Sequence, residues 1–174
     1  MSLVFKHNIG FNITPEPHPN TKIGVLFSPL PLLRFGFNLL VTISTASLSS
    51  KSSNFDKSLL SSINVMAHLD TGASITSIDI ELAKHLKLIP TGTSSSHTAA
   101  GLKEMLNYVI DLNFPNTNLR PFINLPISSC KLPFDIKGDL NDSRKNFGLL
   151  LGRDILSHWN VVWNGETSTV FIND

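Results

Sequence analysis

Met66-Ala67-His68-Leu69-Asp70-Thr71-Gly72-Ala73-Ser74 is the stretch that decides the fold. An apolar run, read as a strand, delivers a carboxylate onto a tight turn. Gly72 lets the backbone bend there, and the Thr71 hydroxyl can bond within the loop or across an interface. Three readings are open on these residues alone. One is a catalytic carboxylate at a strand end. Another is a phosphate loop of the actin and sugar-kinase type, which needs two large α/β lobes that 174 residues do not supply. The third is a plain Asp-Thr-Gly turn.

A second stretch, Phe147-Gly148-Leu149-Leu150-Leu151-Gly152-Arg153-Asp154-Ile155-Leu156, runs from an apolar strand through Gly and Arg into a short helical start. The two motifs, in this order, resemble the retropepsins, the aspartic proteases of retroviruses, retrotransposons and related cellular proteins. The resemblance spans about residues 37–172. It implies that Asp70 is the catalytic carboxylate, with Thr71 and Gly72 in its loop. It also implies that Leu150, Leu151 and Gly152 form a strand threaded beneath that loop, and that Arg153 opens the short helix. Ala73, where pepsin-like lobes commonly have Ser, and His68, on the same strand face as Asp70, would border the substrate. The family usually has an apolar residue at the His68 position, so a polar preference is an open alternative to simple packing. In viral relatives the arginine pairs with an Asp. Here the matching position is Ser74, so Arg153 must use Ser74, a backbone carbonyl or another acid. The resemblance further implies a flap at Thr98-Ala99-Ala100-Gly101, where small residues suit the tip of a moving hairpin.

Elsewhere the chain reads as strands over residues 37–45, 62–69, 105–114, 122–127, 147–151, 160–163 and 168–172, separated by Asn, Gly, Pro and Ser clusters. Such spacing predicts an all-β barrel or sandwich. The resemblance selects the closed, barrel-like acid-protease fold with one or two short helices, the main one over residues 78–88. Nine serines within the 19 residues from Ser44 to Ser62 predict an exposed connection, and Asn164-Gly165 predicts a hairpin turn. Trp163 and Phe171, with Trp159, Val170 and Ile172, either help build a dimer sheet, as in cellular relatives, or close the chain's own core. The domain is expected over residues 37–174, preceded by an extension, residues 1–36, of uncertain structure.

Composition narrows the function. The chain is 41% hydrophobic with a net charge of +1, which suits a globular core and argues against a nucleic-acid partner held by phosphate neutralisation. One cysteine, Cys130, makes no internal disulfide and fits a reducing, cytoplasmic setting. Residues 24–43 are apolar enough to suggest a membrane anchor, but Pro29, Pro31, Arg34 and Asn38 interrupt them. The histidines lack metal-ligand spacing, so no metal or other cofactor is expected. Asp-Thr-Gly occurs once, whereas peptide hydrolysis by carboxylates needs one to take a proton from water and one to give a proton to the carbonyl. The reading is therefore an aspartic endopeptidase acting on polypeptide as a homodimer. The rival is the same dimer as a peptide-binding or dimerisation module with little or no turnover.

Overall fold

The computed structural model describes residues 3–6, 36–46, 61–98, 101–115, 117, 119–137, 147–164 and 169–174. The strands are β1 (Leu3–Lys6), β2 (Asn38–Thr45), β3 (Ser62–Leu69), β4 (Ser77–Asp79), β5 (Gly92–Thr98), β6 (Gly101–Asn113), β7 (Phe122–Cys130), β8 (Leu149–Leu151), β9 (Asn160–Asn164) and β10 (Thr169–Asn173). Two short helices join them, α1 (Ile80–His85) and α2 (Arg153–Leu156). The fold is all-β, as expected.

Alternation builds the barrel. Leu39, Val41 and Ile43 of β2 and Val65, Ala67 and Leu69 of β3 point inward and are buried, because successive strand residues face opposite sides. The large sheet runs β2-β3-β8-β4-β7-β6-β5, and a second pairing of β2 with β6 closes its first six strands into a barrel. Ile110, Leu112, Ile127, Leu149 and Leu151 fill its interior, and Leu82, Leu86 and Ile155 close it from the helices. A separate sheet, β1-β10-β9, packs against this core through Val170 and Ile172.

Several boundaries differ from expectation. The helix expected over residues 78–88 is shorter, because Ser77–Asp79 is pulled into the barrel between β7 and β8. Asp79, 3% exposed, then caps α1: its Oδ1 accepts from the Glu81 and Leu82 amides, and its Oδ2 from the Leu132 amide. Lys87, at φ 53°, ends the helical turn. β5 carries Gly-Thr-Ser-Ser-Ser-His-Thr, with no apolar alternation to announce it; it is a strand because β6 pairs along its whole length.

Of the C-terminal residues, Trp159, Val170 and Ile172 are buried in the chain's own core. Trp163 is 43% exposed and meets Phe37 edge-on at 6.1 Å. Phe171 pairs through its backbone with Val162 and Val4, and its side chain lies outside the described residues. Most of the serine-rich connection and of the 1–36 extension, and the Gly165 turn, also lie outside them, although Leu3–Lys6 of the extension adds a strand to β10. Among the described residues no helix is long and apolar enough to cross a membrane. The end of the apolar 24–43 stretch forms much of β2 inside the barrel.

Cys130 sits beside Asp79 in the β4–β7 register. Burial pushes its thiol up to about 11, with the Asp79 carboxylate adding to the rise and the Ser77 hydrogen bond and Lys103 opposing it. Alkylation of the folded protein at pH 8 is expected to run about 100-fold slower than that of an ordinary thiol, through loss of thiolate. Iodoacetamide labelling followed by mass spectrometry, with and without urea, checks this.

Candidate active site

The carboxylate sits where two strands end together. β3 and β8 run parallel, with Ala67, His68 and Leu69 opposite Leu149, Leu150 and Leu151. This pairing continues one step further, as the Asp70 amide donates to the Leu151 carbonyl at 3.0 Å. The chain then turns tightly: the Gly72 amide donates to Asp70 Oδ1 at 2.7 Å, and the Ala73 amide to the Asp70 carbonyl at 3.2 Å. A Cβ on Gly72 would stand 3.0 Å from that same carboxylate oxygen. Gly72 therefore admits the close contact that orients the acid.

The far side of the loop rests on the segment after β8. The Arg153 amide donates to the Ala73 carbonyl at 2.9 Å, and the Asp154 amide to the Ser74 carbonyl at 3.3 Å. Gly152 passes directly beneath Ile75; a Cβ there would lie 2.6 Å from the Ile75 carbonyl carbon. Thr76 ties the crossing together. Its hydroxyl accepts from the Gly152 amide at 3.1 Å and donates to Asp154 Oδ1 at 2.8 Å, while its amide donates to Asp154 Oδ2 at 2.9 Å.

Arg153 caps the loop without a carboxylate partner among the described residues. Nη1 donates to the carbonyls of Thr71 at 2.8 Å and Gly72 at 3.2 Å, and Nη2 donates to Ser74 Oγ at 2.8 Å. Of the partners left open for Arg153, a hydroxyl and backbone carbonyls take the place of an acid. The sequence reading missed Thr76 and Asp154 as loop supports. Asp154 carried a weak signal, as an acid in the first turn of a helix whose cap residue is Gly152.

His68 lies two residues before Asp70 on the same face of β3, since Leu69 between them is buried in the core. Its Nδ1 is 2.7 Å from Asn38 Oδ1, and its ring stacks on Phe147 with centroids 5.2 Å apart. Burial lowers its pKa below 6.5, and the Asp70 carboxylate opposes that shift. The expected flap is the β5–β6 hairpin: Thr98 pairs with Gly101, which has a φ of 99°. Ala99 and Ala100 lie outside the described residues.

A six-stranded barrel thus carries an Asp-Thr-Gly loop propped on a parallel apolar-apolar-Gly strand. The fold is the closed, all-β barrel with two short helices that the sequence led us to expect. Among solved structures, the chain is similar to a retropepsin-like aspartic protease from Rickettsia conorii, with a TM-score of 0.40 and 13% identity over 78% of this chain and 90% of that one. It is also similar to the retroviral protease-like domain of Ddi1 from Leishmania major, with a TM-score of 0.37 and 14% identity over 71% and 78% of the two chains. No family model and no curated protein matches the sequence.

Two outcomes are expected of this site. Gly152→Ala should destabilise the fold by about 2–3 kcal/mol, because backbone faces the new methyl group; urea denaturation measures this. His68 should titrate below 6.5, and Asp70→Asn should lower it further by removing the attraction that favours the imidazolium. Because its folded pKa lies below its unfolded one, His68 contributes stability above pH 6.5 that is lost as pH falls through the folded value. Histidine ring-proton NMR across pH 4–8 reads the titration directly.

Proposed function

We propose that this chain is an aspartic endopeptidase whose active unit is a homodimer. The observation that carries the reading is the Asp70 loop itself: a carboxylate fixed by the Gly72 amide on a loop braced from below by Gly152, Arg153 and Thr76. Such bracing suits a group that must keep its position while a substrate is strained against it.

One loop supplies one carboxylate, and the chain has one Asp-Thr-Gly. A second copy related by a two-fold axis would bring its own Asp70 to the first. Two carboxylates that close cannot both ionise, so the pair shares a proton. The ionised member takes a proton from water as the water oxygen bonds to the scissile carbonyl carbon. The protonated member gives its proton to the carbonyl oxygen. Collapse of the tetrahedral diol breaks the C–N bond: the leaving nitrogen takes the proton that the first carboxylate drew from water, and a diol hydroxyl gives its proton to the other carboxylate, which restores the shared-proton pair. The dyad titrates as a unit. Thr71 is exposed, and its hydroxyl has no hydrogen-bond partner among the described residues. That leaves it for the loop of the second copy.

An extended polypeptide would lie between the loop and the β5–β6 hairpin, which serves as the flap through Thr98, Ala99, Ala100 and Gly101. Backbone hydrogen bonds would hold it, with side chains directed alternately to either side. Ala73 and His68 would line its path. We assign the protease domain to residues 37–174 and, from the single thiol, its setting to the cytoplasm.

Asp70→Asn should reduce cleavage of a denatured peptide pool by about 10³-fold or more. Mixing excess Asp70→Asn into wild type should suppress activity through mixed dimers, and specific activity should fall on dilution. Cleavage that survives Asp70→Asn, or no cleavage by wild type between pH 3 and 8, overturns the reading. The second result would favour a peptide-binding module.

A further inference from the structure

The imidazole of His68 is held far more tightly than packing alone requires. Asn38 stands directly opposite it in the β2–β3 register, is 1% exposed, and presents Oδ1 to Nδ1 at 2.7 Å. Phe147 stacks on the ring at an interplanar angle of 30°. Gly36, at φ 62°, lies against the ring edge, where any Cβ would come within 2.5 Å of Cε1. Three contacts from two segments, Gly36 and Asn38 on one and Phe147 on the other, thus fix the orientation of this ring. A carbonyl oxygen only accepts, so Nδ1 carries the proton and the neutral ring leaves Nε2 as a lone-pair acceptor. Burial keeps the ring neutral near pH 7, against the pull of Asp70. Nε2 has no hydrogen-bond partner among the described residues, and the side chain is half-buried rather than sealed in the core.

Spacing decides what Nε2 meets. Residues two apart on one strand face stand about 6.5–7 Å apart, the same repeat that separates same-side residues of an extended substrate. If Asp70 addresses the scissile carbonyl, His68 lies one such step away, beside a residue flanking that bond.

We infer that His68 is a specificity determinant whose Nε2 accepts a hydrogen bond from an uncharged donor side chain, such as Ser, Thr, Asn or Gln, next to the scissile bond. The inference rests on the protease reading of Asp70 and names the substrate class of that site. A carboxylate side chain in the same place would face two acceptors, Nε2 and Asp70, and is selected against.

Matched peptides carrying Thr or its near-isostere Val at either residue flanking the cleaved bond test this at pH 7.5. Wild type should favour Thr about threefold to tenfold in kcat/KM, the size of one net neutral hydrogen bond. His68→Phe, which keeps a ring against Phe147 and Gly36, should abolish or invert that preference. His68→Gln, which restores an acceptor, should recover part of it. The Thr-to-Val ratio in peptide affinity, measured with Asp70→Asn, should follow the same order without turnover. Equal use of Thr and Val by wild type overturns the inference, and so does a Thr preference that persists in folded His68→Phe. Absent wild-type cleavage with the binding preference intact overturns the protease reading and leaves the His68 assignment standing. Absence of both cleavage and binding overturns both.

Discussion

The close approach of Gly152 to Ile75 is the constraint on which the site depends. At that crossing one strand passes beneath a loop with no room for a side-chain carbon. The approach brings the Gly152 amide to Thr76 Oγ1, the Arg153 amide to the Ala73 carbonyl and the Arg153 guanidinium to the Thr71 and Gly72 carbonyls. Remove the approach and each of these bonds lengthens together. The loop would keep its internal Gly72-to-Asp70 bond but lose the floor that fixes its direction.

Around that crossing, the barrel is economical in its use of β4. Three residues, Ser77 to Asp79, pair with β7 on one side and β8 on the other. The same segment begins just after Thr76, which anchors the loop, and ends in Asp79, which caps α1 and holds Leu132. Loop support, barrel closure and helix capping therefore share one short strand. The buried Asp79 accepts three backbone hydrogen bonds and so is satisfied in place with no ion-pair partner among the described residues.

Much of this was legible in the sequence because it depends on local chemistry. The apolar alternation of β2 and β3, the glycine at position 72 and the Leu-Leu-Gly run each announce a backbone path. Ser at position 74 showed only that the viral type of ion pair is absent; the structure selects Ser74 and two backbone carbonyls from the partners left open for Arg153. What was not legible depends on partners distant in sequence. β5 has no pattern of its own and becomes a strand only beside β6. Ile78 fits the face of a helix as well as a strand, and the pairing of β4 with two neighbours decides the matter. Thr76 and Asp154 look like ordinary polar residues until 78 positions of chain fold back to join them. The meaning of His68 turned on Asn38 and Gly36, neither of which carries a chemical motif.

That separation has a consequence for the order of events during synthesis. The bonds that brace the Asp70 loop from Thr76, Arg153 and Asp154 span 76 to 82 residues. Contacts so distant must close a long stretch of chain before they return any stability, so they form late in folding. A nascent chain that has exposed Asp70 but not yet Gly152 has the carboxylate without its floor. The loop thus gains its support only after the segment around Gly152 has left the ribosome.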